Sequence, residues 1–117
     1  MGYESKLYIV EKSIGKPNED GYIWAEVIAV FDLCVANLNV KNYPPTDCYI
    51  YDGNDTPIYE DMYGEPLREI SITDMIEIIE KARENDTSYR RYQPCLQLLK
   101  GFDESQWRKI VVLHYGY

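Results

Sequence analysis

The sequence predicts a single α+β domain over residues 1–117: one antiparallel sheet of about four to five strands, packed on one side by two to three helices, with a C-terminal strand returning to the sheet. Three observations carry this. β-branched and aromatic residues dominate Lys6 to Lys12 and Gly21 to Leu33, with no Pro or Gly between those limits. After Pro66 the apolar spacing changes from a period of two to one of about 3.6. Near the end, Ile110 to Leu113 is again β-branched and apolar. An apolar content of 45% with 14% aromatics is enough for one hydrophobic core in a chain of 117 residues.

Within the second strand, Ile23, Ala25, Val27, Ala29, Phe31 and Leu33 form one unbroken apolar face. The opposite face (Tyr22, Trp24, Glu26, Ile28, Val30 and Asp32) is mixed, the pattern of a sheet packed on one side. A helix competes over Ala25 to Leu33, but its β-branched residues lose χ1 freedom against a helical turn. Residues 14–21, IGKPNEDG, have the Pro, Asn, Asp and Gly of a hairpin connection. A second hairpin is expected to run up from Cys48 to Tyr51, turn at Asp52-Gly53-Asn54-Asp55 and return from Ile58 to Asp61, with Tyr49, Tyr51 and Tyr59 pairing across it.

For the first helix, Ser71 is the expected cap, with Asp74 three residues on. Ile72, Met75, Ile76, Ile79 and Ala82 make the apolar stripe, and Asn85-Asp86 ends it. Pro94 suits the first turn of a second helix with the stripe Cys95, Leu96, Leu98 and Leu99, closed by Gly101. A short third helix is expected with Asp103 as N-cap, Gln106 reaching back and Phe102 stapled on Trp107.

Charge narrows the function classes. Twelve basic against 20 acidic groups leave a net of −8, which repels nucleic-acid phosphates unless the bases are segregated. They are partly so, because residues 81–117 carry an excess of bases, but these alternate with Glu84, Asp86, Asp103 and Glu104 on helical segments and read as solvated faces. Direct nucleic-acid binding is therefore not expected. No stretch approaches the roughly 18 apolar residues of a membrane span, and MGYESKLYIV lacks a signal-peptide pattern, so the chain is expected to be cytoplasmic. Lys6 stands where a myristoylation motif needs Ser or Thr. Three scattered cysteines (Cys34, Cys48 and Cys95) read as reduced, packed thiols.

Catalytic and cofactor patterns fail one by one. Asp52, Asn54 and Thr56 imitate the start of a calcium loop, but Pro57 stands where Gly is required and Tyr63 where Glu is required. Scattered Cys residues and one His lack zinc spacing, and phosphate-cradling glycine motifs are missing from the sequence. His114, the single histidine, has no neighbouring nucleophile and reads as a structural residue. The reading is a protein that is not an enzyme and has no metal and no cofactor.

Tyrosine stands out, with twelve against two Phe and two Trp. A tyrosine buries a large ring at small entropic cost and keeps a hydroxyl for the rim, the behaviour of a recognition residue. Between Asn42 and Leu67 there are six carboxylates and no Lys or Arg. Tyr43, Tyr49, Tyr51, Asp52, Asp55, Tyr59, Glu60, Asp61 and Tyr63 are thus the expected partner-binding residues, and the partner is a basic protein surface. The alternative is a nucleotide or small-ligand sponge in which Tyr and Trp rings, with Tyr89 and Tyr92 in the ligand-binding segment, stack a base and Arg90 and Arg91 hold phosphates. A structural or assembly role would instead show as stable homo-oligomers.

The segments GYESKLYIVEKS (2–13), YPPTDCYIYDGND (43–55) and FDESQWRKIVVLHYGY (102–117) resemble small accessory proteins encoded by phages and integrating elements of Gram-positive bacteria, nearly end to end. That group has no established activity, so the resemblance brings no catalytic residues. It implies a small, acidic protein in the bacterial cytoplasm that inhibits a host defence protein, for instance by occupying its nucleic-acid-binding groove.

Overall fold

The structure, a computed structural model, describes residues 5–13, 15–32, 40, 42–84, 92–105 and 109–117. Five strands and two helices follow in the order β1 (Ser5–Lys12), β2 (Ile23–Asp32), β3 (Cys48–Tyr49), β4 (Arg68–Ile70), α1 (Ile72–Glu84), α2 (Tyr92–Ser105) and β5 (Ile110–Gly116). The sheet order is β3-β2-β1-β5-β4. The C-terminal strand returns to the sheet between β1 and β4 and pairs antiparallel with β1 from Ser5↔Gly116 to Glu11↔Ile110.

Three expectations about the sheet need correction. First, the sheet is mixed, because β3 pairs parallel with the start of β2 at Ile23↔Cys48 and Trp24↔Tyr49. The chain leaves β2 at its far end and must travel back before pairing again, and such a return delivers a strand in parallel. Second, the hairpin expected over 48–61 shrinks to one bridge, Ile50↔Ile58, closed by reciprocal backbone bonds of 3.3 and 2.7 Å. Its turn does fall at residues 52–55, with Gly53 at φ 74°. Third, the sheet is covered on both sides.

The two-sided burial follows from β1. Leu7, Tyr8, Ile9 and Val10 are consecutive and all buried, and successive residues of a strand point to opposite faces. Leu7 and Ile9 join Val112, Ile110 and Ile70 beneath the helices, against Met75, Ile79, Cys95, Leu96 and Leu99. Tyr8 and Val10 join Leu113 in a second cluster with Ala25, Cys48, Ile50 and Leu67, to which Val27, Ile58 and Val111 add partly buried area. Residues 48–67 therefore form a lid over the sheet face that the helices leave bare.

A bulge in β2 serves both clusters. Ile9 pairs with Ala29 but Val10 pairs with Val27, so Ile28 is the extra residue. The insertion flips the strand by one position. Ala29 and Phe31 accordingly pack with the helices, whereas Ala25 and Val27 pack under the lid. The apolar face expected to be continuous is thus divided between the two sides, and Leu33 lies outside the described residues.

The sheet also curls until its edges approach each other. Residues 44–49 stitch them together: Pro45 bridges Arg68 of β4, Thr46 N donates to Leu67 O and Glu69 N to Pro44 O, while Ile23 N of β2 donates to Asp47 O. The result is a half-barrel around the lid-side cluster. β4 has no counterpart among the expected strands; with three residues it is too short to show an alternation.

Both described helices lie where expected. Ser71 Oγ accepts from Asp74 N at 3.2 Å, and the stripe from Ile72 to Ala82 faces the core. α2 runs through Gly101 to Ser105, so Gly101 does not close it and Asp103 does not cap a new helix. A helical Gly is worth about 1 kcal/mol less than Ala, a loss of the same order as the gain from burying part of an aromatic ring, and Phe102, the next residue, packs against the helix-side core. Gln106 and Trp107 lie outside the described residues.

If both faces carry true cores, truncation on either side will be expensive. Ile79→Ala beneath the helices and Ile50→Ala beneath the lid are each expected to reduce unfolding free energy by about 2–5 kcal/mol in urea titration, and a value near zero for Ile50→Ala would show an unpacked lid.

Candidate binding face

The lid presents its polar residues outward because its inner side is taken by Ile50, Ile58 and Leu67. Three polar devices fix its shape. Tyr8 reaches from the sheet to donate its hydroxyl proton to Asp52 Oδ2 at 2.7 Å. Burial, reinforced by this bond and the charge of Asp52, raises the Tyr8 pKa far above the ordinary phenol value, so the hydroxyl stays a donor. Asn18 binds its own loop through Oδ1, accepting from Asp20 N and Tyr22 N, and donates Nδ2 to the Tyr59 hydroxyl at 2.9 Å.

Asp61 is the third device. Its Oδ1 accepts from Tyr63 N at 2.8 Å and Glu65 N at 3.0 Å, its own N donates to Glu65 O, and Gly64, at φ 78°, closes the turn by donating to Asp61 O. Met62 N donates to Gly116 O at the end of β5, tying the turn to the sheet. The turn holds Met62 and Tyr63 outward at 65% and 55% exposure.

Between these pins lies a row of rings. Tyr22 meets Tyr59 edge to face with centroids 4.8 Å apart, Tyr59 stacks on Tyr49 at 5.4 Å, and Tyr49 meets Tyr51 edge to face at 5.8 Å. Tyr22, Tyr49 and Tyr59 are half-buried and Tyr51 is exposed. Asp52, Asp55, Glu60 and Glu65 are exposed on the same segment, and none of them makes an ion pair with a described residue.

Of the expected partner-binding residues, Tyr49, Tyr51, Asp52, Asp55, Tyr59, Glu60 and Tyr63 lie on this lid. Two do not belong to its outer surface. Tyr43 packs against the helix-side cluster, and its phenol is held above the ordinary range by desolvation and by Asp74 of α1. Asp61 is buried because its carboxylate is committed to the turn. For the ligand-sponge alternative, Tyr92 is buried in the helix-side core, which removes that ring from base stacking, while Tyr89, Arg90 and Arg91 lie outside the described residues.

Two polar clusters assemble from distant positions and had no local signal. At the seam of the half-barrel, Lys12 Nζ lies 3.3 Å from Asp47 and 3.2 Å from Glu69, while Thr46 Oγ1 donates to Glu69 at 2.8 Å. Asp47, Cys48 and Glu69 offer three ligand atoms within 4.8 Å of one another. The Lys12 ammonium already supplies the positive charge between the carboxylates, and burial pushes the Cys48 thiol up to about 11. The second cluster is Ser5 Oγ and His114 Nε2, 2.8 Å apart, with the charge of Asp61 nearby. Both are buried, Ser5 completely. Elsewhere, Lys6 Nζ stands 5.2–6.0 Å from the ring centres of Tyr8, Tyr115 and Tyr117.

No described helix is long and apolar enough to cross a membrane. Comparison of the chain with protein-family models, curated proteins and solved structures finds no match. Fold and site together define an α+β half-barrel domain with an acidic, tyrosine-lined lid.

Two titrations follow. Burial lowers the His114 pKa to about 4 against the partial opposition of Asp61. The neutral form is the one that folds, so its contribution is complete above the unfolded value of 6.5 and is lost as pH falls toward 4. His114→Gln, which keeps a partner for Ser5, is expected to lack that part of the wild-type decline in urea melts between these two pH values. For the seam, burial opposes both charges, but the contacts prevail: Glu69 foremost, with a smaller share from Asp47, raises Lys12 above 10.5, and the Lys12 ammonium depresses Asp47 below 3.8. The pair therefore stabilises between those values and is lost outside them. Lys12→Met is expected to be less stable than wild type at pH 7, with the gap narrowing as Asp47 protonates in acid.

Proposed function

We propose that this chain is a non-enzymatic binding protein of a mobile element that occupies a basic surface on a host protein, in the manner of an inhibitor of a nucleic-acid-binding defence protein. The observation that carries the reading is the set of exposed carboxylates Asp52, Asp55, Glu60 and Glu65, which pair with no described cation and flank a pinned row of tyrosines. Uncompensated like charges on one face repel one another and are relieved by a complementary partner, which they also attract at a distance. The pinned rings supply contact area with little ordering left to do. The mobile-element setting comes from the resemblance of residues 2–13, 43–55 and 102–117.

The test is a pull-down from a Gram-positive host lysate. Immobilised protein is expected to retain a basic partner at about 50 mM salt and to release it by about 500 mM, since screening shortens the reach of exposed charges from about 14 Å to about 4 Å. Asp55→Lys combined with Glu60→Lys should reduce retention at least about ten-fold with the fold intact by circular dichroism, as expected when surface charges alone are changed. Retention unchanged by the double substitution would refute the assignment of this face.

A further inference from the structure

The ring row on the lid has a geometry that discriminates between the two basic side chains. We infer that the segment it receives is arginine-bearing and extended, with guanidinium groups laid on the row formed by Tyr22, Tyr59, Tyr49 and Tyr51; this rests on the reading of the lid as a face for a basic protein.

Three observations support the choice. Neighbouring ring centres are 4.8, 5.4 and 5.8 Å apart, so the four rings touch in sequence and make one continuous aromatic strip along which an extended peptide can lie. The interplanar angles of 71°, 29° and 78° turn successive rings relative to one another, so the strip offers ring faces as well as edges, and Tyr51 at its end is exposed for a flat group to stack on. Carboxylates sit in the same segment: Asp52 and Asp55 follow Tyr51, and Glu60 follows Tyr59. A guanidinium can stack its plane on a ring while its in-plane N–H groups bond a neighbouring carboxylate, whereas an ammonium is a compact, strongly hydrated point charge that cannot do both in that way.

The same rings could in principle stack nucleic-acid bases, but the exposed carboxylates oppose the phosphates that would accompany them. Single-stranded nucleic acid is therefore the competing occupant in the test.

The experiment compares three probes on the intact chain by calorimetry and by NMR of the tyrosine rings: an alternating Gly–Arg octapeptide, its Gly–Lys counterpart and an oligothymidylate. The Gly–Arg peptide is expected to bind about three- to ten-fold more tightly than Gly–Lys, as one or two guanidinium–ring contacts would give. The ring resonances of Tyr49, Tyr51 and Tyr59 should shift on its addition. Tyr51→Ala, at an exposed position, should bring the Gly–Arg affinity down toward that of Gly–Lys and leave the latter nearly unchanged. Equal affinity for both peptides, abolished by Asp55→Lys with Glu60→Lys, would overturn arginine selectivity and leave the basic-partner reading standing. No binding of either peptide at low salt would remove both. Tighter binding of the oligothymidylate, or ring shifts confined to residues outside the row, would also overturn the inference.

Discussion

β1 is buried on both faces from Leu7 to Val10, so the sheet around it has to be covered twice. The two helices supply one cover through a stripe that spans α1 and α2. In place of a third helix, the second cover is an irregular segment that makes few ladder bonds of its own. Such a segment keeps its shape only if it is anchored at its ends and in its middle. The stitching of residues 44–49 to both sheet edges anchors one end, and the Met62 N to Gly116 O bond anchors the other. Tyr8, rising from the sheet to Asp52, fixes the middle.

The electrostatic character of the lid follows from this packing. With Ile50, Ile58 and Leu67 turned inward, the acidic residues of the same segment are left on the water side. Three of the described cations are engaged elsewhere. Lys12 is held at the seam by Asp47 and Glu69, Lys6 lies on the C-terminal tyrosines, and Arg68 donates to the backbone of Tyr43. The lid thereby carries four exposed carboxylates, Asp52, Asp55, Glu60 and Glu65, that pair with no described cation, on a mechanically pinned surface. Pinning matters as much as charge, because rings that are already immobilised lose little freedom on contact with a partner.

Much of the fold was legible because it depends on local chemistry. Ser71 and the stripe from Ile72 to Ala82 mark α1 by capping and period alone, and the β-branched runs mark β1, β2 and β5. The candidate face was legible as composition, since the base-free window from Asn42 to Leu67 is visible without a structure. Its membership was less so. Asp61 and Asp55 look alike in sequence, yet one is consumed by a turn and the other faces water; Tyr43 packs against the helix-side cluster, whereas Tyr49, six residues on, joins the ring row. The Lys12 and Ser5–His114 clusters had no signal at all, because their members are separated by dozens of residues and are joined only by strand register.

By itself, then, the sequence determined the class of fold, the identity of the helices and the long strands, and the accumulation of tyrosine and negative charge in one segment, because each of these is set by residue type and short-range spacing. Tertiary structure alone decided that the sheet is covered on both faces, that Ile28 bulges so one apolar row serves two cores, and that the lid wears its acids outside. The reason is physical: a strand's period of two says which residues share a side, but which side meets a helix, a lid or water depends on segments far away in the chain that must bury their own apolar surface against it.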